Sequence, residues 1–567
     1  MYVRKYPLRF CFIFFSLIGC LVFFAINLIL IQTFRSSFLA ALAEKQHNYV
    51  VELEPTRGSV LDRELRPLAI NVPVYSIFAN PRIMSAQDKA KAVQALSGAL
   101  KIDAHFLTER LNKRKYFVWL ARKIPLEIAD KVKGLKIKGL DFISESRRYY
   151  PNGSLAAHLI GFAGVDNEGL EGIELFYNNV LRGEFGYKKL LRDAKQDELM
   201  IGDQMKMPKD GFHLVLTIDE TIQYIAERAL DEAYRKHHAK AATIIVMDIK
   251  TGEILALANR PTYNLTEASQ SDEEQRTNRA ISYVYEPGSV FKIVTASAAL
   301  EENAFTETDK IFCENGAYKV ANHILHDHQS HGILTFRQVF EESSNIGVTK
   351  IAQKLGPEAI YKYAQKFRFG MKTNIDLLGE VKGVLKPPLL WSKTSIGAIP
   401  IGQEVLVTPL QLVSAIAAVA NGGVYMRPFV VKYIVDNNDQ IVQTFEPQAV
   451  DKVINEETAG RVTEILVGVV EEGTGKNARI KGVRVAGKTG TAQKVINGIY
   501  SHDQFYASFI GFAPADNPRL AAIVVVDDPH PSYFGGTVAA PVFKEVIENA
   551  LHYLDNLKRS GTLTFAH

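Results

Sequence analysis

Apolar and polar positions give the chain several distinct textures. Residues 10–31 form an apolar run broken only by Ser16, Gly19 and Asn27. At a rise of about 1.5 Å per residue this run spans about 30 Å, the thickness of a bilayer core. Arg4, Lys5 and Arg9 precede it, which predicts that the short N-terminus stays in the cytoplasm and everything later is exported. A cleaved signal peptide is the competing reading, with Ala41-Leu42-Ala43 as the small-residue site. The run is longer than a signal h-region and the site lies well beyond its end, so an uncleaved anchor fits better. Past residue 210, a short strand at 214–219 precedes a helix at 220–236. Apolar strands at 241–248 and 253–258 are joined by Ile249-Lys250-Thr251-Gly252, a hairpin pattern. Helical periodicity dominates 290–422. Strands return at 483–495, 506–513 and 520–527, with a turn at Ala515-Asp516-Asn517-Pro518, and a helix closes the region at 541–554. Strands enclosing a helical block predict an α+β fold: one antiparallel sheet with helices packed on both faces.

The expected domain order is a tail at 1–9, an anchor at 10–31, a mixed α/β pedestal at 50–210, a catalytic domain at 211–556 and a tail at 557–567. The pedestal is expected to be non-catalytic. Its Glu54-Pro55-Thr56-Arg57-Gly58-Ser59-Val60-Leu61-Asp62-Arg63 segment ends in an expected Asp62–Arg63 ion pair. Arg148-Tyr149-Tyr150-Pro151 and the stretch from Gly169 to Glu174 carry no acid–base or metal-ligand arrangement. Residues 101–150 hold 13 Lys/Arg against 6 Asp/Glu. A solvated face explains that excess, and attraction to anionic headgroups or wall polymer is the alternative.

Composition changes this picture little. At 567 residues, about three units are expected. The net charge of +4 is too small for this length to indicate nucleic-acid binding. Three cysteines, two of them inside the apolar run, suggest no disulfide framework.

Candidate chemistry centres on Tyr285-Glu286-Pro287-Gly288-Ser289-Val290-Phe291-Lys292. A Pro-Gly turn runs into an alanine-rich helical stretch, which predicts Ser289 in the first helical turn with Lys292 on the same face. A lysine of depressed pKa can take the serine proton, and free first-turn N–H groups can face an oxyanion. Alone, this S-x-x-K spacing is commonplace. Ser343-Ser344-Asn345 adds an S-x-N element and Lys488-Thr489-Gly490-Thr491 a K-T-G element with a further threonine. Each has a bland reading, as a cap for Ser343 or Asn345 and as strand propensity for Thr489 and Thr491. The three together outweigh it. His323, His326, His328 and His331 fall within nine residues, but their spacing matches no zinc pattern, so a polar loop beside the site is expected and neither metal nor cofactor. Asp527 and Asp528 are adjacent in an expected strand and point to opposite faces, which argues against a carboxylate dyad.

On these residues the chain resembles the class B penicillin-binding proteins, bacterial peptidoglycan D,D-transpeptidases, over nearly its whole length. Asn278-Arg279-Ala280, Thr408-Pro409-Leu410-Gln411-Leu412 and the stretch from Ala486 to Gln493 also resemble family blocks. Phe509-Ile510-Gly511-Phe512-Ala513-Pro514 and Gly535-Gly536-Thr537-Val538-Ala539-Ala540-Pro541 are closest to the septal, division-specific branch. Gly402-Gln403-Glu404 departs from the pattern, since many relatives carry glycine third. The resemblance implies that Ser289 attacks the penultimate D-Ala of a stem pentapeptide, with Lys292 as base. It implies that Ser343 relays a proton to the leaving amine and that Asn345 holds Lys292 and the substrate amide. Lys488 would supply positive charge that steers the terminal carboxylate and keeps Lys292 neutral. Thr489 and Thr491 would bind that carboxylate, Gly490 would let the strand approach the substrate, and the N–H groups of Ser289 and Thr491 would form the oxyanion hole. Implied partners are peptidoglycan stem peptides, β-lactams, and a multi-spanning polymerase of the shape-elongation-division-sporulation type, because no stretch before the pedestal is long enough for a glycan polymerase. Side-wall duty, a silent division scaffold, and a β-lactam sensor or β-lactamase stay open as alternatives. Against the last two, there is no E-x-x-L-N-type element to deliver water and no cytoplasmic signalling bulk.

Overall fold

The computed structural model describes residues 7–36, 38, 48–192, 198–199 and 205–559. Arg4, Lys5, the Ala41-Leu42-Ala43 site and the tail beyond residue 559 lie outside the described residues. The chain divides into two compact units, one of residues 1–56 with 183–210 and one of residues 57–182 with 211–567.

The first unit contains the helix Pro7–Thr33, whose segment Leu8–Thr33 is long and apolar enough to cross a membrane. It also contains the strand Asn48–Leu53, antiparallel to Gly186–Arg192, which pairs in turn with Glu198–Leu199 and Met205–Lys206.

The second unit is built on an antiparallel five-stranded sheet. Its strand order is Ile254–Arg260, Ala241–Asp248, Leu520–Asp527, Ile499–Ala513, Ala486–Ile496. Alternate residues of each strand serve opposite cores. On one face Ile245, Leu257, Ile510, Ile523 and Val525 join the helices Lys292–Glu301, Pro409–Ala420 and Glu456–Glu471. On the other, Ile244, Leu255, Phe509, Val524 and Val526 pack on Glu220–Lys236 and Ala540–Arg559. This is the expected sheet with helices on both faces. Pro409–Ala420 is buried on every side, which explains a sequence that is apolar but for Gln411 and Ser414. Its start is set by a capping box in which Thr408 accepts from Gln411 N and Gln411 reaches back to Thr408, with Pro409 at the first helical position.

The strand expected at 506–513 starts at Ile499 instead. Asn497 (φ 52°) and Gly498 (φ 81°) form a two-residue turn joining it to Ala486–Ile496, so the hairpin extends beyond the buried sheet. Asn-Gly adopts the two positive φ values that match the twist of paired strands.

A second, seven-stranded sheet contains Pro67–Ala79 with Leu140–Tyr149 and Val118–Ile124 on either side. It continues through Val60–Leu61, which lies parallel to His213–Leu216, and on to Val431–Val435 and Ile441–Thr444. Its outer strands cover a small core of Ile77, Leu96, Leu107, Leu120 and Val132.

Three pedestal motifs meet in one buried cluster. Arg57 Nε donates to Glu174 Oε2 (2.7 Å) and Arg148 Nε to Glu174 Oε1 (2.5 Å). Arg57 also donates to the carbonyls of Asn167 and Glu174 and to Asn178 Oδ1, and Arg148 to the carbonyl of Gly58. The Asp62–Arg63 pair does not form. Asp62 bonds Arg66 (2.8 Å), and Arg63 turns to Glu253 (3.4 Å). The turn after Asp62 brings Arg66 back across it, with Asp62 Oδ1 accepting from the backbone N–H of Glu64 and Arg66.

Candidate active site

Ser289 sits in a 3-10 turn, Gly288–Phe291, that leads directly into Lys292–Glu301. The serine therefore precedes the α-helix rather than lying in its first turn. Gly288 has φ 58° and donates its N–H to the carbonyl of Gly402 (3.1 Å). A Cβ on Gly402 would fall 2.2 Å from the Gly288 carbonyl oxygen, so this backbone contact requires glycine. Two residues on, Glu404 occupies a left-handed φ of 58°, a conformation that favours glycine. Its N–H donates to Glu286 Oε1 (2.9 Å) and its carboxylate accepts from Ser395 Oγ (2.8 Å).

Lys292 is fully buried. Its amine donates to the Ser343 carbonyl (2.6 Å) and Asn345 Oδ1 (2.8 Å) and lies 3.2 Å from Ser343 Oγ. Burial, and next the nearby Lys488 amine, pull its pKa far down, with Asp327 opposing weakly. A neutral amine has two N–H donors and one lone pair. The carbonyl and the Asn345 oxygen, acceptors only, use the donors, which leaves the lone pair for a hydroxyl. Lys488 is buried as well. It bonds Ser343 Oγ (2.9 Å) and the Thr489 carbonyl (3.2 Å), and burial lowers its pKa to about 7. The Ser343 hydroxyl thus sits between two buried amines. Ser343 itself is held at φ 58°, a left-handed conformation that a serine adopts only under constraint.

The K-T-G-T strand Ala486–Ile496 is an edge of the sheet, paired only with Ile499–Ala513. Thr489 Oγ1 lies 2.7 Å from Thr474 Oγ1, and Thr491 Oγ1 accepts from Gly535 N (3.1 Å). Gly490 has an additional reason to be glycine. A Cβ there would stand 2.3 Å from Ser508 Oγ and 3.0 Å from Val290 Cγ1, so the strand already packs tightly on its neighbour and on the serine turn.

Ser289, Ser343, Asn345, Thr489 and Thr491 open on one cleft of about 470 Å³, with Lys292 and Lys488 buried behind Ser343. Sequence reasoning missed several of the cleft's supports. Asp327 accepts from Ser344 Oγ (2.6 Å) and Ile346 N (3.0 Å), fixing the S-x-N turn from a loop of distant register. Thr474 braces Thr489. A run of rings, His328–Phe534–Tyr533–Phe505, lines one wall, with successive centroids 4.9, 4.5 and 4.2 Å apart. No spacing rule links these four positions. The histidines separate: His323 and His326 bound the strand of the 317–326 hairpin, while His328 joins the wall. Among the described residues no group of three or more His, Cys, Asp or Glu is arranged to hold a metal ion. Asp527 is ion-paired with Lys494 (2.6 Å).

The Lys488 pKa sets an expected pH dependence. In the role the resemblance implies, receiving a carboxylate, the Lys488 cation is present below its pKa and lost above it. Penicillin acylation of the free protein is therefore expected to fall as pH rises through about 7. A bound carboxylate favours the cation, so at saturating ligand the same limb moves to higher pH. Stopped-flow acylation rates from pH 6 to 9 test this, and a second-order rate constant still climbing at pH 9 contradicts it.

Residues 242–548 match the penicillin-binding protein transpeptidase domain and residues 52–216 the penicillin-binding protein dimerisation domain. The chain is 37% identical to stage V sporulation protein D of Bacillus subtilis, over 97% of this chain and 87% of that one. It is 33% identical to the peptidoglycan D,D-transpeptidase FtsI of Escherichia coli, over 93% and 88% respectively. Among solved structures, penicillin-binding protein 3 of Mycobacterium tuberculosis in complex with aztreonam superposes with a TM-score of 0.70 at 28% identity, covering 89% of this chain and 98% of that one. With both domains matched in order and the three motifs gathered in one cleft, the chain belongs to the class B penicillin-binding proteins.

Proposed function

We propose that this protein is a peptidoglycan D,D-transpeptidase of septal wall synthesis, working through a Ser289 acyl-enzyme. The observation that carries this reading is the Ser343 hydroxyl held between two buried lysine amines beside the cleft onto which Ser289 opens. Lys292, neutral because it is buried next to a second amine, accepts the Ser289 proton as Oγ bonds to the carbonyl carbon of the penultimate D-Ala. The N–H groups of Ser289 and Thr491 hold the oxyanion. The C–N bond to the terminal D-Ala then breaks, and the Ser343 hydroxyl hands its proton to the departing amine while taking the one held on Lys292, which becomes neutral again. Asn345 orients Lys292 and the substrate amide. Lys488, with Thr489 and Thr491, receives the terminal carboxylate. An amine of a neighbouring stem peptide attacks the acyl carbon and loses its proton through Ser343 to Lys292, which returns it to Ser289 Oγ as the ester C–O bond breaks. β-Lactams acylate the same oxygen, in keeping with the aztreonam complex of the Mycobacterium tuberculosis relative.

The test is covalent labelling by a fluorescent penicillin. The wild type is expected to be labelled at one site and to retain the label for many minutes, and Ser289→Ala to take up none. Label that turns over within seconds would make hydrolysis, not transfer, the natural reaction.

The apolar helix Pro7–Thr33 fits a single-pass anchor. By charge bias we place its N-terminus inside, residues 50–210 as the pedestal and residues 211–556 as the exported catalytic domain. A membrane-embedded glycan polymerase is the proposed partner, contacted through anchor and pedestal. Exchanging residues 10–31 for an unrelated spanning helix is expected to impair division while penicillin labelling persists. Normal division with the exchanged helix would remove the anchor from that interface.

A further inference from the structure

A carboxylate offers only lone pairs, so a threonine that binds one must point its single hydroxyl hydrogen at the ligand. Whether it can depends on what its other neighbours require. For Thr491 the backbone decides. Gly535 N–H can only donate, so Thr491 Oγ1 accepts from it (3.1 Å) and keeps its own hydrogen for the cleft that it lines. Thr489 is paired instead with another hydroxyl. Its Oγ1 lies 2.7 Å from Thr474 Oγ1, and either oxygen can be the donor. With Thr489 donating to Thr474, an arriving carboxylate meets a lone pair and is repelled. With Thr474 donating, the Thr489 hydrogen is ordered toward the ligand and polarised by the bond behind it.

Thr474 is held firmly for this task. Its N–H donates to the carbonyl of Glu341 (3.3 Å), two residues before Ser343. A Cβ on Gly473 would fall 2.2 Å from that carbonyl oxygen, and one on Gly536 would fall 2.6 Å from the Thr474 carbonyl oxygen, so backbone meets backbone at both places. Asn477 Nδ2 donates to the Gly536 carbonyl (2.8 Å), which ties residues 473–477 to the turn that supplies Gly535 N–H. Two adjoining segments thus each present one partner to one threonine, and Thr474, Asn477 and Gly536 line the same cleft as Thr489 and Thr491. We propose that Thr474 is a positioning residue for carboxylate recognition, its hydroxyl donating to Thr489 Oγ1 so that Thr489 donates to the ligand, as Gly535 N–H ensures for Thr491. The inference rests on the transpeptidase reading above, in which these two threonines receive the terminal carboxylate.

The experiment resolves penicillin acylation into the dissociation constant of the initial complex and the acylation rate constant. Thr474→Val keeps the branched shape and removes the hydroxyl. The dissociation constant is expected to rise about fivefold, because Thr489 loses the donor that orders it, while the rate constant stays within a factor of about two. Thr474→Ser restores a hydroxyl and is expected to recover the affinity to within about twofold of wild type. Adding Thr474→Val to Thr489→Val should weaken the complex no further than Thr489→Val alone, since Thr474 acts through that hydroxyl. A dissociation constant less than doubled in Thr474→Val overturns the proposal. So do a loss confined to the rate constant, a serine variant no better than the valine one, or losses that multiply in the double variant. Absence of acylation in the wild type would instead overturn the transpeptidase reading itself.

Discussion

Lys292→Met is expected to lower penicillin acylation by about 10³-fold or more without loosening the fold. A positioned general base contributes about 10²–10⁴ to such a step. In the proposed mechanism Lys292 is that base, while the Lys488 amine is held by Ser343 Oγ and the Thr489 carbonyl. Methionine matches the lysine stem in volume and removes an amine that burial strongly disfavours as a cation. Stability is linked to this. A lysine whose folded pKa is depressed destabilises the fold wherever the unfolded chain binds the proton and the folded one does not. Between the low folded pKa of Lys292 and the ordinary lysine value, removing the amine is therefore stabilising or neutral, apart from hydrogen bonds lost to Ser343 and Asn345. The measurements are acylation kinetics and a thermal midpoint on the same preparation. A variant that acylates within tenfold of wild type would show that some other group takes the serine proton.

The largest expected effect on stability lies far from the cleft. Glu174→Ala leaves Arg57 and Arg148, 1% and 6% exposed, facing one another without a counter-charge. Burial already pulls the Arg57 pKa down, and Glu174 is the chief group opposing that pull. Breaking a buried ion pair by removing one partner typically costs about 3–5 kcal/mol, because the orphaned charge remains desolvated. At about 2–4 °C per kcal/mol for a domain of this size class, the unfolding midpoint is expected to drop by roughly 10 °C. Labelling of the still-folded protein at low temperature should be unchanged, since the cluster binds Gly58, Asn167 and Asn178 rather than any cleft residue. A midpoint within 2 °C of wild type would mean the two guanidinium groups find other partners or water. The reverse design, all three residues replaced by apolar ones of similar volume, is expected to be much less harmful than the single change.

The two expectations rest on residues that differ in how far the sequence alone singles them out. Ser289, Lys292, Ser343, Asn345, Lys488, Thr489 and Thr491 were legible because each lies in a short motif whose spacing is local. The clamp was not. Arg57, Arg148 and Glu174 stand 117 and 26 residues apart in their pairs, and nothing within any one motif says which carboxylate answers which arginine. Asp62 and Arg63 illustrate the converse, since adjacency suggested a pair that the following turn replaced with Arg66. The strand was expected to begin only at 506 because the residues from Ser501 to Gln504 are polar and at least partly exposed.

By itself the chain determined the long apolar helix, the alternation that makes the sheet two-faced and the motif residues that gather at the cleft, because each depends on period or spacing within a few turns or strands. Tertiary structure alone decided how those residues are tuned. Depth of burial and the approach of a second amine lower the pKa of Lys292, and Asp327 and Thr474 come from elsewhere in the chain to brace the site. Desolvation and Coulomb forces act through space, so the protonation state of a lysine is a property of its surroundings rather than of its place in a motif.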